Sequence, residues 1–281
     1  MHIYGGLIVS VEIMAWNIAD GFSDKDRYEG IVEVVTERMP DAIIFSEAWH
    51  QDQVAWLGEA ARHFMSAGYN LRHTKYEDDE DRDDRHGLLA MVHRRAWGGH
   101  SSVVRISGRN ALMMGMKDPA TGARFNFYGA HLNDRSEASR LSQVAAMIRA
   151  LNIVGGDNPV VVAGDLNASY RKGLVPGAFR LVGPLFKDVP VVNYAPGYKP
   201  DRLTFAADSL RRAGEMAIGS TMQAFRDEGF KDAHPGHRPT ISLLNLDHIL
   251  VRGPRVIDSE VLPKTPLSDH RAITATLEVE A

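Results

Sequence analysis

Apolar positions along this chain come in two spacings, and the two alternate. Short runs rich in Val, Ile and Phe read as strands. Between several of them lie segments whose apolar residues recur every three or four positions, as a helix buried on one face requires. Val9–Ile18 alternates and closes at the turn Asp20-Gly21. Tyr28–Met39 reads as an amphipathic helix, with Ile31, Val34, Val35 and Arg38 spaced for two faces, and Pro40-Asp41 stops it. Asp41–Phe45 is a compact buried strand and Asp52–Ala67 a second helix. Gly87–His93, Ser102–Ser107, Ala111–Lys117 and Arg124–Ala130 then follow as strands joined by Gly-rich or polar turns. Ser136 caps a third helix to Asn152, whose stripe is Leu141, Val144, Ala145 and Ile148. Pro159–Ala163 is a buried strand ending at Gly164-Asp165, and 169–200 reads as a long loop. Leu210–Glu228 is expected to be helical, and Asp247–Val251 and Ala272–Glu278 are the last strands. No repeat or linker divides the pattern, so residues 1–281 are expected to form one domain, and the pattern leaves open whether residues 1–9 belong to the fold.

Composition narrows the class only a little. With 281 residues, 44% hydrophobic and 24% charged, the chain can bury a sizeable core and reads as globular rather than disordered. The formal charge of −4 exerts no global pull toward nucleic acid or anionic lipid. A local basic rim or a bound cation can still offset a mildly acidic surface. The absence of cysteine excludes disulfides, thiolate zinc sites and cysteine nucleophiles. The start of the chain lacks a basic segment followed by a long apolar one, and nowhere do roughly eighteen apolar residues run together. The expectation is therefore a cytoplasmic protein without a membrane span.

The chemistry concentrates at strand ends. Asn17 follows Ile13–Trp16, Glu47 follows Ala42–Phe45, Asp165 and Asn167 follow Val160–Ala163, and Asp269-His270 precede the final strand. Taken singly, each reads as a turn or cap residue. Together they are what a sheet protein projects into a shared cleft. Carboxylates with an amide, and no thiolate, suit a hard cation such as Mg²⁺ or Mn²⁺.

Six segments carry a resemblance: Trp16-Asn17-Ile18, Asp41–Glu47, Gly129-Ala130-His131-Leu132, Gly164-Asp165-Leu166-Asn167, Leu246–Leu250 and Leu267–Arg271. In this order they resemble the motifs of the endonuclease/exonuclease/phosphatase superfamily, the DNase I-like metal phosphodiesterases. The resemblance implies a four-layer α/β sandwich in which two mostly antiparallel β-sheets are flanked by helices. It implies that Glu47, with Asn17 and Asp269, holds the metal, and that Asp165 orients or deprotonates the attacking water. Asn167 would donate to the phosphate. Asp247 would fix the tautomer of His270 and raise its pKa. His131 would protonate the leaving oxygen or stabilise the pentacovalent phosphate. The implied activity is in-line hydrolysis of a phosphodiester by an activated water with Mg²⁺ or Mn²⁺ as cofactor.

Within the superfamily, Ser46-Glu47 and His131 depart from abasic-site endonucleases, which resemble this chain less at those positions. Ala168 and Leu246-Asp247-His248 depart from inositol polyphosphate phosphatases. The His131/His270 pair is more similar to the DNase I and sphingomyelinase branches, without their export signals. Nucleic acid is the expected substrate, with a small or lipid phosphoester as the alternative and a non-catalytic binding module as a third reading. The third is disfavoured because every expected position holds a competent side chain.

Other residues read more plainly. Arg109 divides between a phosphate contact and a surface ion pair, and His248 is expected to point to the face opposite Asp247 and serve packing. His234-Pro235-Gly236-His237 reads as a turn with two exposed imidazoles, and Glu77–Arg85 as a solvated loop. Arg27, Tyr170, Arg171, Lys172 and Tyr194 border the expected cleft.

Overall fold

The computed structural model describes residues 8–49, 56–75, 86–154, 158–169, 219–234, 240–241 and 244–280. Twelve strands among them form two six-stranded sheets. The first sheet has the order β11-β12-β1-β2-β4-β3, from Arg255–Val261, Ile273–Glu280, Ile8–Asn17, Ala42–Ser46, Gly87–His93 and Tyr69–Lys75. The second has the order β5-β6-β7-β8-β10-β9, from Trp97–Arg105, Asn110–Lys117, Arg124–Gly129, Val160–Asp165, Asp247–Arg252 and Lys231–Asp232.

Each sheet is antiparallel except at one place. In the first, β1 runs parallel to β2 with helix α1 (Lys25–Arg38) in the connection, and in the second β7 runs parallel to β8 with α3 (Glu137–Val154). Parallel neighbours need such a crossover because the chain must return to the starting edge.

The apolar pattern explains the layering. Both faces of the central strands are covered, so their sequences are continuous hydrophobic runs. Ile13, Ala15, Ile44 and Ala90 from the first sheet pack between the sheets against Leu112, Phe127, Val161 and Ile249 from the second. The intervening residues Met14, Trp16, Ile43 and Phe45 face outward onto Ile31 and Val35 of α1 and Phe64 of α2 (Leu57–Ser66). On the opposite side Tyr128, Val160 and Val162 pack against Val144, Met147 and Leu151 of α3 and Phe225 of α4 (Ser220–Asp227). Helices, sheet, sheet and helices make four layers, as the sequence resemblance implies.

Most expected elements form within a few residues of their anticipated ends. Three strands were not expected: β3, β9 and β11, all at or next to sheet edges, where exposed polar side chains break the apolar pattern. The last helix starts at Ser220 behind Gly219, whose φ of 77° is incompatible with helix; residues 210–218 of the anticipated helix lie outside the described residues. So do residues 52–55 of the second helix, the acidic run Glu77–Arg85, residues 170–200 of the expected loop, and His237. Strand β1 is already paired at Ile8 and Val9, so these two belong to the sheet rather than preceding it.

His234 is a correction. It is buried rather than exposed, its Nε2 lying 2.9 Å from the Thr274 carbonyl and 3.2 Å from that of Glu260. His248, as expected, serves packing: its Nδ1 meets Asp232 Oδ2 at 2.7 Å and its Nε2 meets the Ala168 carbonyl at 2.7 Å. Both ring nitrogens face acceptors, so the protonated ring satisfies more of its surroundings than the neutral one.

Two features generate tests. Gly164 has φ 133°, and a Cβ there would lie 2.1 Å from the Ala130 carbonyl oxygen. Gly164→Ala is expected to lower unfolding free energy by about 3 kcal/mol or more, read by urea denaturation; an unchanged midpoint would contradict the geometry.

The second concerns Asp232 and His248. Burial pushes the Asp232 carboxyl up, but the His248 charge and hydrogen bond hold it below its ordinary 3.8. Burial pulls His248 down, but Asp232 holds it above 6.5. The carboxylate's contribution is lost as pH falls through its depressed pKa, and the imidazolium's as pH rises through its raised one. The pair therefore stabilises most between pH 3.8 and 6.5. Asp232→Asn is expected to cost about 3 kcal/mol in that window. The loss is expected to shrink above it, as followed by Tm against pH.

Candidate active site

The two parallel pairs end on the same side of the sandwich, and their C-terminal ends supply four polar residues. Asn17 closes β1 and Glu47 follows β2; His131 lies just past β7 and Asp165 closes β8. The antiparallel neighbours start there. Asp247 opens β10 directly across from Asp165, and His270 leads into β12, which pairs with β1.

One amide joins the sheets. Asn17 Nδ2 donates to Glu47 Oε1 at 3.1 Å and to Asp165 Oδ2 at 2.9 Å. Its Oδ1 accepts from the Ala19 N–H at 3.0 Å. The same Asp165 oxygen lies 3.8 Å from His131 Nε2 and 3.9 Å from His270 Nε2. His131 Nε2 is also 3.9 Å from Glu47 Oε1. His270 Nδ1 donates to Asp247 Oδ2 at 2.7 Å, which fixes its tautomer. Two groups offer ligand atoms within 4.8 Å of one another: Glu47, His131 and Asp165, and Asp165, Asp247 and His270.

Burial and neighbours drive these groups apart in protonation. Burial and the Asp247 charge push Asp165 up to about 7, against the pull of His270 and of the hydrogen bonds from Asn17 and Asn167. Burial raises Glu47 as well, offset by the charges of His86 and His270 and the Asn17 bond. Burial lowers His131 well below its ordinary value, and the Arg109 guanidinium lowers it further. Burial pulls His270 down too, but Asp247, Asp165 and Asp269 together raise it to about 10.

The supporting polar groups are ordered. Ser268 Oγ donates to the Asn17 carbonyl at 2.7 Å and accepts the His270 N–H at 3.0 Å. Ser46 Oγ accepts the Asp165 N–H at 3.3 Å, and Thr240 Oγ1 accepts the Leu246 and Asp247 N–H groups at 3.0 and 3.2 Å. Arg109 is buried and donates to the carbonyls of His131 and Leu132 at 3.1 and 2.6 Å, so it fixes the His131 loop instead of reaching solvent. Arg27 donates to the carbonyls of Leu267, Ala19 and Ile18, tying the Asn17 turn to the His270 turn.

Of the expected residues, Asn17, Glu47, His131, Asp165, Asp247 and His270 converge. Asn167 is adjacent: its N–H meets Asp165 Oδ1 at 2.9 Å, but its Nδ2 donates to the Leu132 carbonyl at 2.9 Å. Asp269 is exposed, lies 3.5 Å from Ser268 Oγ, and belongs to neither group of ligand atoms. Tyr170, Arg171, Lys172 and Tyr194 lie outside the described residues. Sequence reasoning passed over His86 and Asp20, which pair at 2.6 Å beside Glu47. Reading both ends of each strand would have flagged His86, since it immediately precedes Gly87 of β4.

A search of curated proteins finds no match. Among solved structures, the human nocturnin catalytic domain with bound sulfate superposes with a TM-score of 0.68 at 15% identity, covering 98% of each chain. ANGEL2, a 2′,3′-cyclic phosphatase solved with adenosine-2′,3′-vanadate, gives 0.64 at 12% identity, with both chains fully covered. A mannosyl-6-phosphatase from Bacteroides thetaiotaomicron gives 0.64 at 13% identity, covering 95% of this chain and 99% of that one. At these identities the likeness is one of fold. The sequence model of the Endonuclease/Exonuclease/phosphatase family matches residues 14–270, spanning every converging residue from Asn17 to His270, and the chain belongs to that family.

Proposed function

We propose that residues 1–281 form one catalytic domain that hydrolyses phosphodiester bonds, with nucleic acid as its substrate. The observation that carries this reading is the Asn17 amide bridging Glu47 and Asp165 while two imidazoles stand within 3.9 Å of the same Asp165 oxygen.

The donor set fits a hard divalent ion. Glu47 and Asp165 are carboxylates crowded onto one amide, and both are pushed toward the protonated form by burial, which an adjacent cation relieves. Glu47 and Asn17 would hold the ion, together with Asp269, which is exposed beside His270. When bound, Mg²⁺ or Mn²⁺ neutralises a phosphate oxygen and stabilises charge that builds in the transition state.

The chain's own groups divide the remaining work. Asp165, at about 7, suits a base near neutral pH and orients the attacking water for in-line displacement. His270, kept protonated by Asp247, offers its Nε2–H to a phosphate oxygen. His131 is held neutral, so it stabilises the pentacovalent phosphate by hydrogen bonding and does not act as a general acid. Asn167 uses the second hydrogen of its amide toward the phosphate while the first remains on Leu132.

A second reading, hydrolysis of a small phosphoester, is favoured by the formal charge of −4 and by structural relatives described as a cyclic phosphatase and a sugar phosphatase.

Hydrolysis of supercoiled plasmid and of bis-p-nitrophenyl phosphate, with Mg²⁺, Mn²⁺ or EDTA, separates the two. Metal-dependent nicking supports the nuclease; cleavage of the small ester alone supports the second reading; undiminished activity in EDTA would contradict both. Asp165→Asn and His270→Ala are each expected to lower kcat by about 100-fold or more with the fold retained by circular dichroism. Near-native turnover in either would remove that residue from the mechanism.

A further inference from the structure

A second histidine–carboxylate pair stands beside the site, and the proposed reaction leaves it unused. His86 Nδ1 meets Asp20 Oδ1 at 2.6 Å, with both side chains about a quarter exposed. Asp20 and its neighbour Ala19 have φ of 62° and 44°, and Glu47 has φ 46°. Three non-glycine residues in the left-handed region are held there against a cost of about 1 kcal/mol or more each. They are joined: the Asp20 N–H donates to the Glu47 carbonyl at 2.7 Å, and the Ala19 N–H donates to Asn17 Oδ1 at 3.0 Å.

The segment after Glu47 is tied to His86's own strand. Ala48 N–H donates to the Gly87 carbonyl at 2.9 Å, and Gly87 N–H donates to the Trp49 carbonyl at 3.0 Å. The Trp49 ring lies so close over Gly87 that a Cβ there would sit 2.1 Å from it. His86 is thereby placed against the turn that carries Glu47, and its bond to Asp20 closes a ring of contacts: Glu47 backbone to Asp20, Asp20 to His86, and Gly87 back to Ala48. The His86 charge is felt at both Glu47 and His131, which agrees with that placement.

We propose that His86 and Asp20 form a positioning pair that locks the left-handed turn at Glu47 and so sets this carboxylate for the divalent ion. The inference rests on the reading that Glu47 holds the metal. The pair acts on the Glu47 backbone and not on its carboxylate, and groups that orient a metal ligand change metal affinity by about 10- to 100-fold when lost.

The test is calorimetric titration of Mn²⁺ into the full chain, without substrate. His86→Ala is expected to weaken Mn²⁺ binding about 10-fold. His86→Asn, whose amide can occupy the place of Nδ1 and donate to Asp20, is expected to recover most of that loss. In an Asp20→Ala background, His86→Ala is expected to add little, because the two act as one unit. Tm without metal is expected to stay close to the parent in His86→Asn, so that a change in affinity is not a loss of fold. Glu47→Gln serves as the control for the underlying reading. If Glu47→Gln weakens Mn²⁺ and the His86 variants bind as the parent does, the positioning pair is overturned and the metal reading stands. If Glu47→Gln itself binds Mn²⁺ unchanged, the metal reading fails and the pair's proposed role falls with it. Equal loss in His86→Asn and His86→Ala would also overturn the proposal, since the donor to Asp20 would then be irrelevant.

Discussion

Everything at this site depends on keeping two carboxylates, Glu47 and Asp165, on one amide, the first about a quarter exposed and the second buried. Asp165 is 2% exposed, and the Asn17 Nδ2 that contacts it belongs to the opposite sheet. Desolvating anions side by side is unfavourable unless cations and donors surround them. The surroundings supply His270, the Asn17 amide, the Asn167 N–H and the His86 charge. A packing arrangement of two sheets is thereby converted into a site with a standing demand for positive charge. That demand is what a divalent ion would meet.

The topology explains why the carboxylates can be there at all. Each sheet contains one parallel pair, and the C-terminal ends of both pairs fall at the same edge of the sandwich. Loops at that edge lie beyond the inter-sheet core that ends at Ala15, Ile44 and Ala163, so polar side chains can stand there between the buried Ile18, Leu132 and Leu166. The antiparallel neighbours then bring Asp247 opposite Asp165 and His270 beside the end of β1. Close backbone approach is required where the sheets meet. Gly129 has Ile44 Cδ1 of the other sheet where a Cβ would be, so this glycine lets the sheets come near enough for Asn17 to reach across, while Gly164, against the Ala130 carbonyl, serves the close approach of β7 and β8 within one sheet.

What could be read from the sequence follows from the same physics. Strands covered on both faces, such as β2, β4 and β8, announce themselves as unbroken apolar runs, and the polar residues at their ends stand out by contrast. Asn17, Glu47 and Asp165 were legible for that reason, and Asp247 and His270 through their motif neighbours. Edge strands were not. In β11, exposed Arg255, Asp258 and Glu260 are interleaved with half-buried Val256, Ser259 and Val261, a pattern that a polar loop also shows. His234 sits in a Pro-Gly context that reads as an exposed turn, yet two carbonyl acceptors contributed by Glu260 and Thr274 make burial of its ring favourable. Asp269 illustrates the limit of motif reading. It is adjacent to His270, but the two sit in a bend ahead of β12, where Asp269 is exposed while His270 is buried against the site.

The two imidazoles nearest Asp165 carry the argument one step further. They lie at nearly the same distance from one oxygen, 3.8 and 3.9 Å, yet their surroundings drive them in opposite directions. His270 has the buried carboxylate of Asp247 at its back and is held protonated; His131 has the Arg109 guanidinium nearby and is held neutral. Groups whose environments separate their pKa values in this way take different parts in a reaction. A phosphate seated at Asp165 would thus meet a cationic donor from the β10–β12 side and a neutral one from the β7 side. Asp247 sustains that asymmetry through Oδ2, which accepts from His270 Nδ1 at 2.7 Å, while its buried Oδ1 has no hydrogen-bond partner among the described residues. The polarity of the site is therefore set by residues that never approach the phosphate.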